Sequence, residues 1–459
     1  TWEMSRALIA DAQQLDLTVD QRKELDALIL DCKRGSFLSE FAAADIAIRA
    51  EDMTAAADAV TRGFAIAPAD SAESRAWRQA ASASGNIAAA WSPHQTDGDQ
   101  DQLAAAATGG LPVAQYEWGR LLLEGAQRMA NPDSAAKQSQ VAVLWLTRAS
   151  DRKQLDAVLL LGDCCRTGIG TQRDVPRALK LYHTAAVAGR ADAAARIGSV
   201  YLKGNGVAAN PSLAYAWFKK AADADDVDGL TGAGVCLYQG LGVEKNIDSA
   251  VAYFIKAADA RPEARFWLGV CRIDGTGIAQ DAAVGRQLIR SAADAKDPDA
   301  LAMLGDWNRS GDHAGEKRPA NPVVALSYYN DAANAGHIRA MIAAGELLAA
   351  GDEVPKNETG ARARFETAAA VGDPRAQYRF AVCLLDGIGG PADPAAGLRL
   401  LTLAADAGVT AAQAHLGSLY ASGRHVKPNP ELALTYLSRA AGQDDANGLY
   451  GLGLLHLNG

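Results

Sequence analysis

The chain has 459 residues, enough for two to four ordinary domains, and with 49% hydrophobic and 22% charged residues it can bury a large core. Its net charge is −9 and its Lys and Arg are dispersed, which excludes the basic patch that a nucleic-acid backbone or an anionic membrane surface requires. No run of about 18 uninterrupted apolar residues occurs, so no transmembrane helix is expected.

Residue 1 is Thr rather than Met, so a processed or trimmed start is expected, and a leader or lipid anchor would have gone with it. Residues 1–91 read as a helical region. SRALIADAQQLDLTVDQRKELDALILDCKRG suggests two helices around a Leu-Thr-Val-Asp turn. FAAADIAIRAEDMTAAADAVTRGFAIAPAD is similar to one tetratricopeptide hairpin, with Ala44, Ala56 and Pro68 near the expected offsets. The polar stretch 92–101 is the best linker.

Residues 102–459 are governed by a repeat. A small residue inside an apolar string recurs at Gly119, Gly162, Gly198, Gly234, Gly269, Gly305, Gly345, Ala381, Gly417 and Gly453. From Gly162 onward the spacing is 36 or 35 residues, except for one step of 40 after Gly305. Sixteen residues after the marker stands a small residue (Ala178, Ala214, Ala250, Gly285, Ala361, Gly397, Ala433). Twenty after it stands a bulky one (Tyr182, Phe218, Phe254, Ile289, Phe365, Leu401, Leu437), and an alanine pair follows. In the Gly305 unit these positions shift by four, to Ala325 and Tyr329, so the extra residues belong to GDHAGEKRPANP.

Apolar and small residues recur at three- and four-residue spacing in both halves of each unit, the signal of two amphipathic helices. Gly-x-Gly between the halves, as in Gly204/Gly206 and Gly240/Gly242, ends the first helix. Asn-Pro or Asp-Pro opens the second, at Asn210, Asn321, Asp393 and Asn429, by capping orphan amides. The marker and the small residue at +16 allow the helices to cross closely, and the bulky residue is expected to fill the core between neighbours. One hairpin cannot bury its own apolar face, so the units must stack.

These features resemble the Sel-1-like repeat, a relative of the tetratricopeptide repeat, most cleanly in AAARIGSVYLKGNGV…AYAWFKKAADA and AAQAHLGSLYASG…ALTYLSRAAG. The resemblance implies an all-α, right-handed α-solenoid of about ten units, the last of them truncated, because Gly459 lies six residues after Gly453, at the turn position. It also implies a non-enzymatic scaffold or adaptor that binds other proteins within a larger membrane- or envelope-associated complex. A periplasmic polysaccharide or small-ligand binder is the alternative, and an enzyme is a remote one. The Ala, Asp, Arg and Gly bias fits a GC-rich bacterial source; the compartment leans to periplasm or envelope, with cytoplasm and ER lumen open.

Chemical motifs do not compete with that reading. There is no G-x-S-x-G, H-E-x-x-H, Walker loop or C-x-x-C, and the seven His are scattered, so no catalytic residue, cofactor or metal is expected. Cys164, Cys236, Cys271 and Cys383 all stand two residues after a marker. Equal phase in a stacked array keeps them roughly 10 Å or more apart, beyond the reach of about 7 Å between Cα atoms that a disulfide needs. They are expected to be small core residues, as is Cys165 at the usual Tyr position; Cys32 is isolated.

What remains is a surface. If the first helices line the concave face, as the resemblance implies, fixed offsets from the marker place Asp163, Arg166, Lys203, Tyr238, Gln239, Asp274 and Asp299 on it. The same offsets add Asp306, Arg309, Arg339, Glu346, Arg375, Tyr378 and Asp386. The stripe turns from acidic at Asp299 and Asp306 to basic at Arg339 and Arg375, beside the one expansion in the register. A partner's peptide segment is expected there, and neither nucleic acid nor a membrane span.

Overall fold

A computed structural model of the chain describes residues 100–457, apart from Asn205 and Glu353. The 1–91 region with its hairpin and Cys32, the linker up to residue 99, and Gly459 lie outside the described residues. The chain divides into two compact units, residues 1–233 with 241–243 and residues 234–240 with 244–459.

The described part of the first unit contains α1 (Gln100–Thr108), α2 (Pro112–Gln127), α3 (Pro132–Asp151), α4 (Leu155–Thr167), α5 (Val175–Val187), α6 (Ala191–Lys203) and α7 (Pro211–Ala222). Helix α8 (Val227–Gln239) contributes to both units. The second unit continues with α9 (Ile247–Ala257), α10 (Pro262–Asp274), α11 (Ala282–Asp294), α12 (Pro298–Ser310) and α13 (Pro322–Asn334). Helices α14 (Ile338–Ala350), α15 (Glu358–Ala370), α16 (Pro374–Asp386), α17 (Pro394–Asp406), α18 (Thr410–Ser422), α19 (Pro430–Ala441) and α20 (Ala446–Leu457) complete it. From α1 to α7 and from α9 to α20 each helix packs on the next, and first helices of successive repeats also touch, as α10 does α12 and α12 does α14. The architecture is an all-α solenoid of stacked helix pairs.

Local sequence sets the helix ends. Each second helix from α5 onward begins at an Asn or Asp that accepts a backbone amide from the first turn. Asn210 accepts from the Leu213 amide at 3.0 Å and Asn429 from the Leu432 amide at 3.0 Å. Such a cap is worth about 1 kcal/mol. First helices end on a left-handed glycine such as Gly351, φ +70°. The second turn glycine has a further reason. A Cβ at Gly242 would lie 2.2 Å from the backbone carbon of Pro211, and one at Gly389 would lie 2.2 Å from the Glu358 carbonyl oxygen. This glycine lets the turn rest against the start of the preceding repeat's second helix.

The marker glycine meets the bulky residue of its own repeat, and the bulky residue also packs on the next repeat as expected: a Cβ at Gly232 would lie 2.5 Å from Phe218 and one at Gly451 2.6 Å from Leu437. A Cβ at Gly162 would stand 2.5 Å from the ring of Tyr182, at Gly305 2.5 Å from Tyr329, and at Gly345 2.5 Å from Phe365. The rings lie flat over the space a side chain would take, and Tyr182, Phe254 and Tyr329 are almost fully buried. Where the marker is Ala381 the glycine moves to the partner helix. A Cβ at Gly397 would lie 3.1 Å from the Ala381 carbonyl oxygen, and Leu401 replaces the ring. Each such side chain contributes about 1.5–3 kcal/mol by burial.

Cys164, Cys165, Cys236, Cys271 and Cys383 are all buried and free. Desolvation pushes the Cys164 thiol up to about 12, and Cys236 and Cys271 up to about 11.

The expectation of no strand needs one correction. The expansion after Gly305 folds as a hairpin of β1 (Asp312–His313) and β2 (Glu316–Lys317), with Asp312 opposite Lys317 and His313 opposite Glu316. Ala314 (φ +52°) and Gly315 (φ +85°) form its two-residue turn, whose positive φ values match the twist of paired strands. His313 packs on Trp307, ring centroids 5.8 Å apart, and the Ala314 carbonyl accepts from Arg286 of α11 at 3.1 Å. These contacts tie the insertion to the preceding repeat.

Two predictions follow from this packing. Gly345→Ala forces the Phe365 ring aside and should lower stability by roughly 1–3 kcal/mol. Gly453→Ala, where a Cβ would meet nothing within 4 Å, should be neutral or stabilising by up to about 1 kcal/mol; urea unfolding of the two variants separates the cases. The five described thiols should resist a thiol reagent in the folded chain and all react after denaturation without reductant, read by mass spectrometry of labelled peptides.

Candidate functional site

The exposed charges of the first helices are organised by pairs that span repeats. In the first unit, Arg190 reaches Asp156 at 2.5 Å and Arg196 reaches Asp163 at 3.2 Å. In the second, Arg339 reaches Asp306 at 2.9 Å, Arg379 reaches Glu346 at 2.5 Å and Arg424 reaches Asp386 at 2.7 Å. His337 caps α14 by accepting the Ala340 amide on Nδ1, so its Nε2 donates to Asp299 at 3.2 Å. A carboxylate of one repeat thus holds a side-chain donor of the next. Exposed pairs of this kind contribute 0 to about 1 kcal/mol each.

Two of these carboxylates have a second partner below them. The buried Tyr182 donates to Asp163 at 2.7 Å, and Tyr329 donates to Asp306 at 2.7 Å. Burial and the neighbouring carboxylate push both phenols above the usual tyrosine value. The two tyrosines at the bulky position therefore come with an Asp one residue after the marker. Units with Phe, Ile or Leu there carry Ser, Val or Glu instead.

Six of the expected stripe residues come together. Asp306 and Arg309 of α12, Arg339 and Glu346 of α14, and Arg375 and Tyr378 of α16 line a groove of about 840 Å³ in the second unit. Ile342 and Ala343 supply apolar surface. Val409, Thr410 and Ala411 close one side at the N-terminal turn of α18, where Val409 offers no side-chain cap. Gln443 is fixed there by accepting from Thr410 Oγ1 at 2.8 Å and donating to Gln413 at 2.9 Å. Tyr378 stacks edge-on against His415, centroids 6.2 Å apart, with the Arg379 guanidinium 5.8 Å from its own centroid.

The other expected residues lie elsewhere. Asp299 and Asp386 are in the pairs above. Asp163 and Arg166 share the Tyr182 network in the first unit, where Arg166 and Lys203 line a smaller pocket of about 320 Å³. Tyr238 packs on Trp267 at 5.2 Å, and Gln239 and Asp274 sit at the ends of α8 and α10, outside the groove. Phe266, which the offsets also place on the stripe, is 5% exposed and belongs to the core. The expected switch from acid to base is not two blocks of charge, because Arg339 reaches back to Asp306. Arg379 and the α17–α18 turn were not anticipated; Arg379 stands two residues before its marker, an offset outside the stripe.

The groove holds no constellation for bond-making chemistry. Among the described residues no group of three or more His, Cys, Asp and Glu is placed to hold a metal ion. Among them also, no helix is long and apolar enough to cross a membrane. What the arrangement offers is an apolar floor and a rim of guanidiniums.

Tyr329→Phe should lower stability by roughly 1–2 kcal/mol, since it removes a bond to a carboxylate. Its raised value means that folding selects the neutral phenol. The contribution is therefore intact below about pH 10, the unfolded tyrosine value, and is lost as pH climbs through the folded one. Urea unfolding at neutral and alkaline pH should show the gap between wild type and variant closing on the alkaline side.

A family model for the Sel1 repeat matches residues 112–153, 155–189, 191–226, 227–261, 262–297, 298–337, 338–373, 374–409 and 410–445. These segments coincide with the helix pairs from α2–α3 to α18–α19. Among solved structures, the chain is similar to a protective antigen of uropathogenic Escherichia coli with an SLR fold: 22% identity, TM-score 0.49, 95% of this chain and 90% of that one. A Sel1 repeat protein from Oxalobacter formigenes shares 25% identity at TM-score 0.42, covering 70% of this chain and 90% of its own. No curated protein matches. Proteins built from Sel1 repeats generally act as protein-interaction scaffolds. With nine matched repeats over most of its length, the chain belongs to the Sel1 repeat family.

Proposed function

We propose that this chain is a non-enzymatic scaffold or adaptor, and that the groove of the second unit holds a segment of a partner protein. The observation that supports this reading is a groove of about 840 Å³ lined from four successive repeats. Its length along the stack suits an extended segment rather than a compact metabolite. Its apolar floor at Ile342 and Ala343 can seat an aliphatic side chain, and its polar rim can set specificity. The larger assembly we assign it to is membrane- or envelope-associated. A polysaccharide would call for aromatic faces along the groove; Tyr378 is the aromatic residue lining it.

A photo-cross-linking residue at Ala411, exposed on the rim of the groove, should capture one discrete partner. The same residue at Val371, 66% exposed beyond α15, should not. Equal capture at both positions would assign the interaction to another surface. With the purified partner, reversing Arg339 and Arg375 together to Glu should weaken binding by roughly 1–3 kcal/mol while helicity is retained. Titration calorimetry measures the difference.

A further inference from the structure

We infer that the segment taken by this groove is acidic, with Asp or Glu side chains flanking an aliphatic one. The inference deepens the reading above and rests on it. It comes from how the charges lining the groove are used. Four guanidiniums (Arg309, Arg339, Arg375, Arg379) face three carboxylates (Asp306, Glu346, Asp373). Every carboxylate is already engaged. Asp306 accepts from Tyr329 on one oxygen and from Arg339 on the other. Glu346 meets Arg379 on Oε1 and Arg309 on Oε2, at 2.5 and 3.7 Å. Asp373 caps α16 by accepting the Ala376 amide at 2.9 Å.

The cations are not used up in the same way. A guanidinium has five N–H donors, and Arg309, Arg339 and Arg379 each give one ion pair to the carboxylates of the groove. These three side chains are 45–63% exposed, so solvent screens their pairs and leaves them open to further partners. Among the described residues, Arg375 has no hydrogen-bond or ion-pair partner. It is also exposed in the first turn of α16, where the helix dipole disfavours a cation. A residue that breaks a local rule without an internal compensation marks a place where function overrides stability. The N-terminal turn of α18, which closes one side, adds partial positive charge of the same sign. An acidic segment complements all of these at once. A basic segment would find the carboxylates occupied and Arg375 opposed to it.

The test is a selection of displayed random dodecapeptides on the full chain, followed by binding of the enriched peptides as labelled synthetic probes. Three variants are compared: Arg375→Glu, Arg375→Lys, and Ala343→Tyr, which fills the groove without changing its charge. Circular dichroism verifies that each keeps the parental helicity. The expected result is enrichment of peptides with several Asp or Glu. Their affinity should fall about tenfold when those residues become Asn or Gln, fall about tenfold with Arg375→Glu, be largely kept by Arg375→Lys, and drop with rising salt. Neutral or basic peptides that Ala343→Tyr displaces and Arg375→Glu does not would overturn the acidic specificity and leave the groove as the binding site. Enrichment of no peptide that Ala343→Tyr displaces would overturn the groove itself, and the inference with it.

Discussion

The structure depends on one contact repeated along the chain: a large side chain of the second helix lying on a glycine of the first. A Cβ at Gly198 would stand 2.8 Å from the Phe218 ring and one at Gly417 2.7 Å from Leu437. The contact sets the distance between the two helices of a unit, and that distance decides which residues remain on the outer face of the first helix. Where the bulky residue is a tyrosine the contact does more. Its hydroxyl emerges beside the residue after the marker, so the core side chain also anchors a surface carboxylate, as Tyr329 does Asp306.

That anchoring connects packing to the groove. Asp306 is held from below by Tyr329 and from the side by Arg339 of the next repeat. A charge that looks available in projection is thereby committed. The same holds for Glu346 between Arg309 and Arg379. In the groove the character comes from what is left after these commitments, four guanidiniums against three engaged carboxylates, although the chain as a whole carries −9. The insertion belongs to the repeat that supplies Asp306 and Arg309. Its hairpin returns to α11 through Arg286, which contacts the Ala314 carbonyl and, at 3.3 Å, Glu316. The four additional residues are absorbed there without disturbing the spacing of the helices that follow.

Among the described residues the fold was almost entirely legible in the sequence. A period of 36 residues carried by Gly, Ala and bulky positions is a statement about packing, because only small residues permit the crossing and only a stack buries the faces. The caps were legible for the same reason: Asn210, Asn321, Asp393 and Asn429 act within three residues, and local chemistry is written locally. The buried thiols followed from phase alone. The hairpin was not legible, since GDHAGEKRPANP has turn residues but no run of alternating hydrophobics. The second turn glycine was legible as a turn and not as a contact, because its neighbour lies about 30 residues upstream in the preceding repeat.

The sequence placed six of the groove's lining residues on one stripe and did not show how their charges are used. Fixed offsets located Arg339, Glu346, Arg375 and Tyr378 on one face because a helix presents the same face at the same phase. They could not tell that Arg339 pairs with Asp306 while Arg375 has no ion-pair partner among the described residues. That difference is decided across some 33 residues of chain, by the register of one first helix on the next and by whether a buried side chain ends in a hydroxyl. Sequence therefore determined the repeat, the helices and the face. Tertiary structure decided which charges on that face cancel, because cancellation depends on distances between repeats that no single repeat encodes.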